Sequence, residues 1–150
     1  MTTKDLFNQI KAKQSFLCVG LDVDQDYFPV KFNDSPDNIF NFSKSIIDTT
    51  AKYCVAYKIN IAFFEAYGIE GWNSLEKVMD YLNNYYPEIF TIADAKRADI
   101  GNTSKRYAKA YFDHFDFDSI TVAPYMGGDS VEPFLTYKDK HTILLALTSN

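Results

Sequence analysis

The chain has 150 residues, of which 47% are hydrophobic and 17% aromatic, and carries a formal net charge of -5. That is enough for one domain with a real core, and the composition excludes a disordered chain. The acidic balance, with no cluster of lysine and arginine, argues against a nucleic-acid partner.

Met1-Thr-Thr-Lys-Asp5 has no signal-peptide core, and no apolar run approaches membrane-spanning length. A cytoplasmic protein with no membrane partner is expected. Cys18 and Cys54 stand alone in apolar runs and read as reduced, buried core residues. His114 and His141 lie far from each other and from the cysteines, so no zinc site is expected.

Phe16 to Gly20 is a short apolar run that predicts the first strand, ending at Leu21-Asp22. Ser35-Pro36-Asp37 supplies a cap, a first-turn proline and an early acid, which predicts a helix start. Ile39, Phe40, Ser43, Ile46, Ile47 and Thr50 follow at helical spacing. Cys54 to Lys58 is the second strand. Trp72, Leu75, Val78, Met79, Leu82 and Tyr86 mark the next amphipathic helix. Ile89 to Ala93 is the third strand. A helix begun by Asn102 or Thr103 carries Tyr107, Ala108, Tyr111, Phe112 and Phe115. Ser119 to Val122 is the fourth strand, Asp129 to Tyr137 a shorter helix, and Thr142 to Leu147 the fifth strand.

Strands alternating with helices predict a parallel sheet with helical crossovers. Polar residues gather just past the strand ends: Asp22, Lys58 with Asn60, Asp94 with Lys96, Pro124 to Asp129, and Thr148 to Asn150. The ends of parallel strands are where α/β folds bind ligands. Gly20-Leu-Asp-Val-Asp24 is not a phosphate fingerprint of the open doubly wound type. The expected fold is therefore an α/β (β/α)8 TIM barrel. Residues 1–150 would be the N-terminal portion of one such domain, since about five strands are present and the whole barrel needs about 200 residues or more.

One stretch carries the chemistry: Asp94-Ala-Lys-Arg-Ala-Asp-Ile-Gly-Asn-Thr103. Side chains alternate along a strand, so Asp94 and Lys96 are expected to share a face. An isolated buried charge is costly, which favours a site over a core location. A structural ion pair at a strand end fits the spacing alone equally well. Arg97, Lys105, Arg106 and Lys109 read as a solvated helix face.

This stretch resembles the D-x-K-x-x-D-I-x-x-T signature of the orotidine 5'-phosphate decarboxylase family. Val19-Gly-Leu-Asp22, Tyr57-Lys58-Ile-Asn60, Val122 to Phe134 and Leu147-Thr-Ser-Asn150 resemble other strand ends of that family, in the same order. The connection after the fourth strand is similar to that of its longer bacterial-type branch. The resemblance implies decarboxylation of orotidine 5'-phosphate to uridine 5'-phosphate (UMP), in de novo pyrimidine biosynthesis, with no metal and no organic cofactor. It implies catalytic roles for Lys58, Asp94, Lys96 and Asp99, an alternating Lys-Asp-Lys-Asp array. Asp22 would bind the substrate ribose and Ser149 the pyrimidine. Asp99, Ile100 and Thr103 would reach into a neighbouring subunit's site, making a homodimer with composite active sites. The family's phosphate-binding arginine and mobile phosphate loop have no counterpart in these residues.

For single residues a plainer reading stands beside each role. Asp22 could cap a turn, Lys58 could be a surface lysine, and Thr148-Ser149-Asn150 is ordinary turn composition. A metal-dependent sugar-phosphate lyase or aldolase of the same barrel group is the alternative enzyme, with Glu65 as its candidate metal ligand. A half-barrel without catalysis is the alternative of another class.

Overall fold

The computed structural model describes residues 1–33 and 37–148. Five strands form one parallel sheet in the order β1-β2-β3-β4-β5, so each strand pairs with its neighbours in sequence. They are β1 (Cys18–Leu21), β2 (Ala56–Asn60), β3 (Phe90–Arg97), β4 (Ser119–Val122) and β5 (His141–Leu144). Between them run α2 (Val30–Asn33), α3 (Asn38–Thr50), α4 (Ile61–Glu65), α5 (Gly68–Tyr85), α6 (Gly101–Ala108) and α7 (Glu132–Leu135), with α1 (Thr3–Lys13) ahead of the first strand. This is the strand order of the first half of a TIM barrel.

The two faces of the sheet differ. Tyr57, Ile59, Ala93, Ile120 and Val122 are fully buried, and pack with Ile47 of α3 and Leu75 and Val78 of α5 into one core. The Tyr57 hydroxyl donates to Ile47 O at 3.1 Å and lies 2.8 Å from Thr50 Oγ1, which ties β2 to α3. The residues that alternate with these, Lys58, Asn60, Asp94 and Thr121, occupy the other face.

Two joints depend on small backbone features. Gly71, at the α4–α5 elbow, has no room for a side chain: a Cβ there would sit 1.8 Å from Phe64 O. At the start of the chain, Thr2 and Asp5 form a capping box for α1. The Met1 amine pairs with Asp118 Oδ1 at 2.6 Å, and Lys13 Nζ donates to Ala51 O and Cys54 O at 2.9 and 2.8 Å. These contacts fasten α1 beneath the strands, a helix that the apolar periodicity did not announce.

Several expectations are corrected. The first strand begins at Cys18, not Phe16, which is 87% exposed, and the fifth ends at Leu144, not Leu147. Cys18, at the start of β1, is exposed rather than buried; Cys54 is buried as expected. The helix after β4 is a 3-10 turn (Gly128–Ser130) followed by the single turn of α7. The helix after β3 starts at Gly101 and passes into a π-helical segment, Lys109–His114. Ser35 and Pro36 lie outside the described residues. No helix among the described residues is long and apolar enough to cross a membrane.

Candidate active site

The site is built on the C-terminal ends of β1, β2 and β3. In the β2–β3 ladder Lys58 lies opposite Ile92, and Asn60 opposite Asp94. Parallel pairing places these side chains on the face that the helices leave uncovered. Asp94 is the centre. It is only 9% exposed, and both carboxylate oxygens are occupied. Oδ1 accepts from Lys96 Nζ at 2.5 Å and from the Thr121 hydroxyl at 3.0 Å; Oδ2 accepts from Lys58 Nζ at 3.1 Å. Lys58 Nζ also lies 3.6 Å from Asp22 Oδ1, and Asn60 Nδ2 is 3.4 Å from Asp22 Oδ2. The charges therefore alternate in space: Asp22, Lys58, Asp94, Lys96.

This order sets the ionisation of Asp94. Burial pushes its carboxyl up, but hydrogen bonds from Lys96, Lys58 and Thr121 favour the anion and hold it below the ordinary value. A carboxylate that stays ionised below its ordinary range thus stands between two ammonium groups. Lys96 is the more open, with its side chain 54% exposed.

The period-two argument brought Asp94 and Lys96 to one face, but the strand between them is not regular. Ala93 pairs with Ile120 and Arg97 with Val122, so four steps on β3 match two on β4. Lys96 takes up the irregularity with φ 47°, in the left-handed region. A non-glycine residue there costs about 1–2 kcal/mol. Its N–H is held by Thr121 Oγ1 at 2.9 Å.

Other expected site residues are not gathered here. Asp99 turns back on its own loop, where Oδ1 accepts from Ile100 N at 2.7 Å, and its backbone carbonyl accepts from the Ser104 hydroxyl. Among the described contacts it does not meet Lys58 or Lys96 of the same chain. Ile100 is 53% exposed and Thr103 is exposed on the first turn of α6. Ser149 lies outside the described residues.

Arg97 is a correction. It was expected on a solvated helix face with Lys105, Arg106 and Lys109. Those three are exposed, but the Arg97 side chain is 20% exposed at the end of β3. It pairs with Glu65, donates to the Tyr111 hydroxyl at 2.7 Å, and lies over the ring of Tyr107. Burial pushes the Tyr111 phenol up to about 12, against the opposing pull of Arg97, so it stays neutral. Glu65, the candidate metal ligand, is therefore committed to Arg97. Among the described residues no group of three or more His, Cys, Asp or Glu is placed to hold a metal ion.

Sequence reasoning missed Thr121. It reads as an ordinary β-branched strand residue, and nothing nearby in sequence marks it. Asn60 was noted only as a polar strand end; its contact with Asp22 was not foreseen.

Residues 15–150 match the family model described as "Orotidine 5'-phosphate decarboxylase / HUMPS family". Over all 150 residues the chain is 63% identical to the orotidine 5'-phosphate decarboxylase of Christiangramia forsetii, and covers 55% of that protein. Two solved structures from Leishmania donovani are similar across the whole chain, each at 40% identity. One is an OMP decarboxylase, with a TM-score of 0.82 and 55% of its chain covered; the other is a UMP synthase, with a TM-score of 0.84 and 31% covered. The chain thus spans about half the length of the curated relatives it matches.

Proposed function

Since the chain belongs to the orotidine 5'-phosphate decarboxylase / HUMPS family, we propose that the complete protein converts orotidine 5'-phosphate to UMP in de novo pyrimidine biosynthesis. The reading treats residues 1–150 as the N-terminal portion of a single barrel domain in a cytoplasmic enzyme. The observation that carries it is the one carboxylate, Asp94, gripped by Lys96 on one oxygen and Lys58 on the other.

The reaction breaks the bond between C6 of the pyrimidine and its carboxylate. Carbon dioxide leaves, and the bonding electron pair stays on C6. No metal or organic cofactor is assigned to take up that charge. Lys96 would place its ammonium beside C6, stabilise the developing carbanion, and transfer a proton to it. The lysine, left neutral, regains a proton from water. Asp94 would lie against the departing carboxylate. Two like charges at about 4 Å interact by about 4 kcal/mol at an effective dielectric of 20, and that repulsion vanishes as CO2 departs. Lys58 keeps Asp94 ionised and aimed. Asp22 would bind the ribose, and Ser149 the pyrimidine.

Asp99, Ile100 and Thr103 are proposed to serve the site of a second copy. Two features support this: the Asp99 carboxylate does not join its own chain's array, and Ile100 beside it is half exposed. Each site of the homodimer would then contain a full Lys-Asp-Lys-Asp array. The metal-dependent alternative is disfavoured by the engagement of Glu65 with Arg97.

The test joins these 150 residues to the remaining C-terminal part of the Christiangramia forsetii relative and follows orotidylate loss and UMP formation. Turnover supports the proposal. A folded, dimeric chimera that binds UMP but turns over no orotidylate would overturn it.

A further inference from the structure

We infer that Thr121, on β4, is a positioning residue for the decarboxylation proposed above: its hydroxyl fixes both the carboxylate of Asp94 and the backbone from which Lys96 projects. The inference rests on that functional reading for its kinetic consequences and on geometry for the rest.

A hydroxyl has one proton to give and lone pairs to receive. Lys96 N is a donor, so at 2.9 Å it must donate to Thr121 Oγ1. The hydroxyl proton is then free for Asp94 Oδ1, which lies 3.0 Å away. The direction of both bonds is fixed. Thr121 is 6% exposed, so water does not readily replace either one. It stands opposite the extra residues of β3, between the pairs Ala93–Ile120 and Arg97–Val122. There the β3 backbone has left the ladder, and the Lys96 N–H needs a partner that β4's main chain does not offer. One side chain thus supplies what the irregular ladder omits.

The consequence is a fixed relation between proton donor and anion. Lys96 Nζ meets the same Oδ1 that Thr121 holds, while Lys58 takes Oδ2. Without the hydroxyl, Oδ1 keeps only Lys96, and Lys96 loses the anchor of its left-handed backbone. Both reacting groups can then drift, and a misplacement of about 1 Å can cost about 10²-fold in rate.

The charged groups facing Asp94 are Lys96 of β3 and Lys58 of β2, with Asp22 beyond Lys58 at the end of β1. None is altered by changing Thr121. In the completed chain, Thr121→Val keeps the shape and removes the hydroxyl. It should lower kcat by about tenfold to hundredfold with KM within about threefold of wild type. It should also move the acid limb of the kcat/KM profile to higher pH, because a hydrogen bond to the anion is lost. Thr121→Ser should retain kcat within about threefold. Thr121→Val with the kcat and acid limb of wild type, even at a lower Tm, would reduce Thr121 to a packing residue and overturn the inference.

If Thr121→Val does not fold, Thr121→Ala carries the same readouts. A second measurement needs no turnover: titration of the Asp94 carboxyl carbon by NMR. An upward midpoint in the variant upholds the hold of Thr121 on Asp94, and an unchanged midpoint overturns it. An inactive wild-type chain would overturn the functional reading alone, because this titration would still decide the geometry.

Discussion

Lys58 reaches Asp94 diagonally: its register partner on β3 is Ile92, yet its ammonium lies 3.1 Å from Asp94 Oδ2. The long side chain leans toward the C-terminal end of the sheet and also comes within 3.6 Å of Asp22. One flexible cation therefore joins three strands. Lys96, by contrast, reaches the same carboxylate from two residues away on the same strand.

This division of labour separates the two lysines in an assay. In the completed chain, Lys96→Ala should remove the proposed proton donor and lower kcat by several powers of ten, since oriented charge and proton transfer are each worth about 10² or more. KM should change far less. Steady-state decarboxylation checks this, and activity within tenfold of wild type would reassign the donor.

The shared carboxylate predicts a pH effect on stability. The folded Asp94 titrates below its ordinary value of 3.8. A carboxylate lowered on folding contributes stability that is present above the unfolded value and lost as pH falls through the folded one. Asp94→Asn removes that contribution, so its stability should fall less steeply than wild type below about pH 4. Urea midpoints compared between pH 6 and pH 3 measure it, and parallel slopes would contradict the pairing.

If Asp99 crosses to a second copy, two dead variants should revive one another. Lys96→Ala and Asp99→Ala chains, co-refolded in equal amounts, form mixed dimers in which one site carries both changes and the other neither. With random exchange half the dimers are mixed, so about a quarter of wild-type activity should return. No recovery despite demonstrated exchange would place Asp99 in its own chain's site.

A chelator should leave the rate unchanged, because Glu65 is held by Arg97 rather than offered to a metal. The check is decarboxylation before and after exhaustive chelation. A loss restored by added magnesium would favour the sugar-phosphate alternative.

The elbow glycine gives a stability prediction. Gly71→Ala puts a methyl 1.8 Å from Phe64 O, so α4 and α5 must move apart. Overpacking of this kind typically costs about 1–3 kcal/mol. A urea midpoint equal to wild type would contradict it.

The alternation of strands and helices was legible because each buried strand is a compact apolar run. What escaped was tertiary or capped locally. α1 has no buried residue, so its apolar stripe is weak, and its clearest signal is the Thr2–Asp5 capping box. α4 follows β2 without a break, and Ile61 to Phe64 reads as more of the same apolar stretch. Asp94 and Lys96 were singled out by their spacing and do meet, but through the left-handed turn at Lys96 rather than by regular strand alternation; Lys58 was noted as a strand-end lysine. Thr121 was invisible, since its role exists only once β4 lies against an irregular β3. Arg97 was misread because it was grouped with the solvated Lys105, Arg106 and Lys109, while its partners Glu65 and Tyr111 are 32 and 14 residues away.

The side-by-side order of the strands has a consequence for synthesis. Asp22, Lys58, Asp94 and Lys96 all lie on or just past β1, β2 and β3, which adjoin one another in sequence order. As the chain leaves the ribosome, these strands can meet without waiting for distant sequence. The electrostatic centre of the site is thereby assembled almost entirely from contacts between adjoining strands. Strand β4 adds Thr121, which grips both the carboxylate and the Lys96 backbone from outside those three strands.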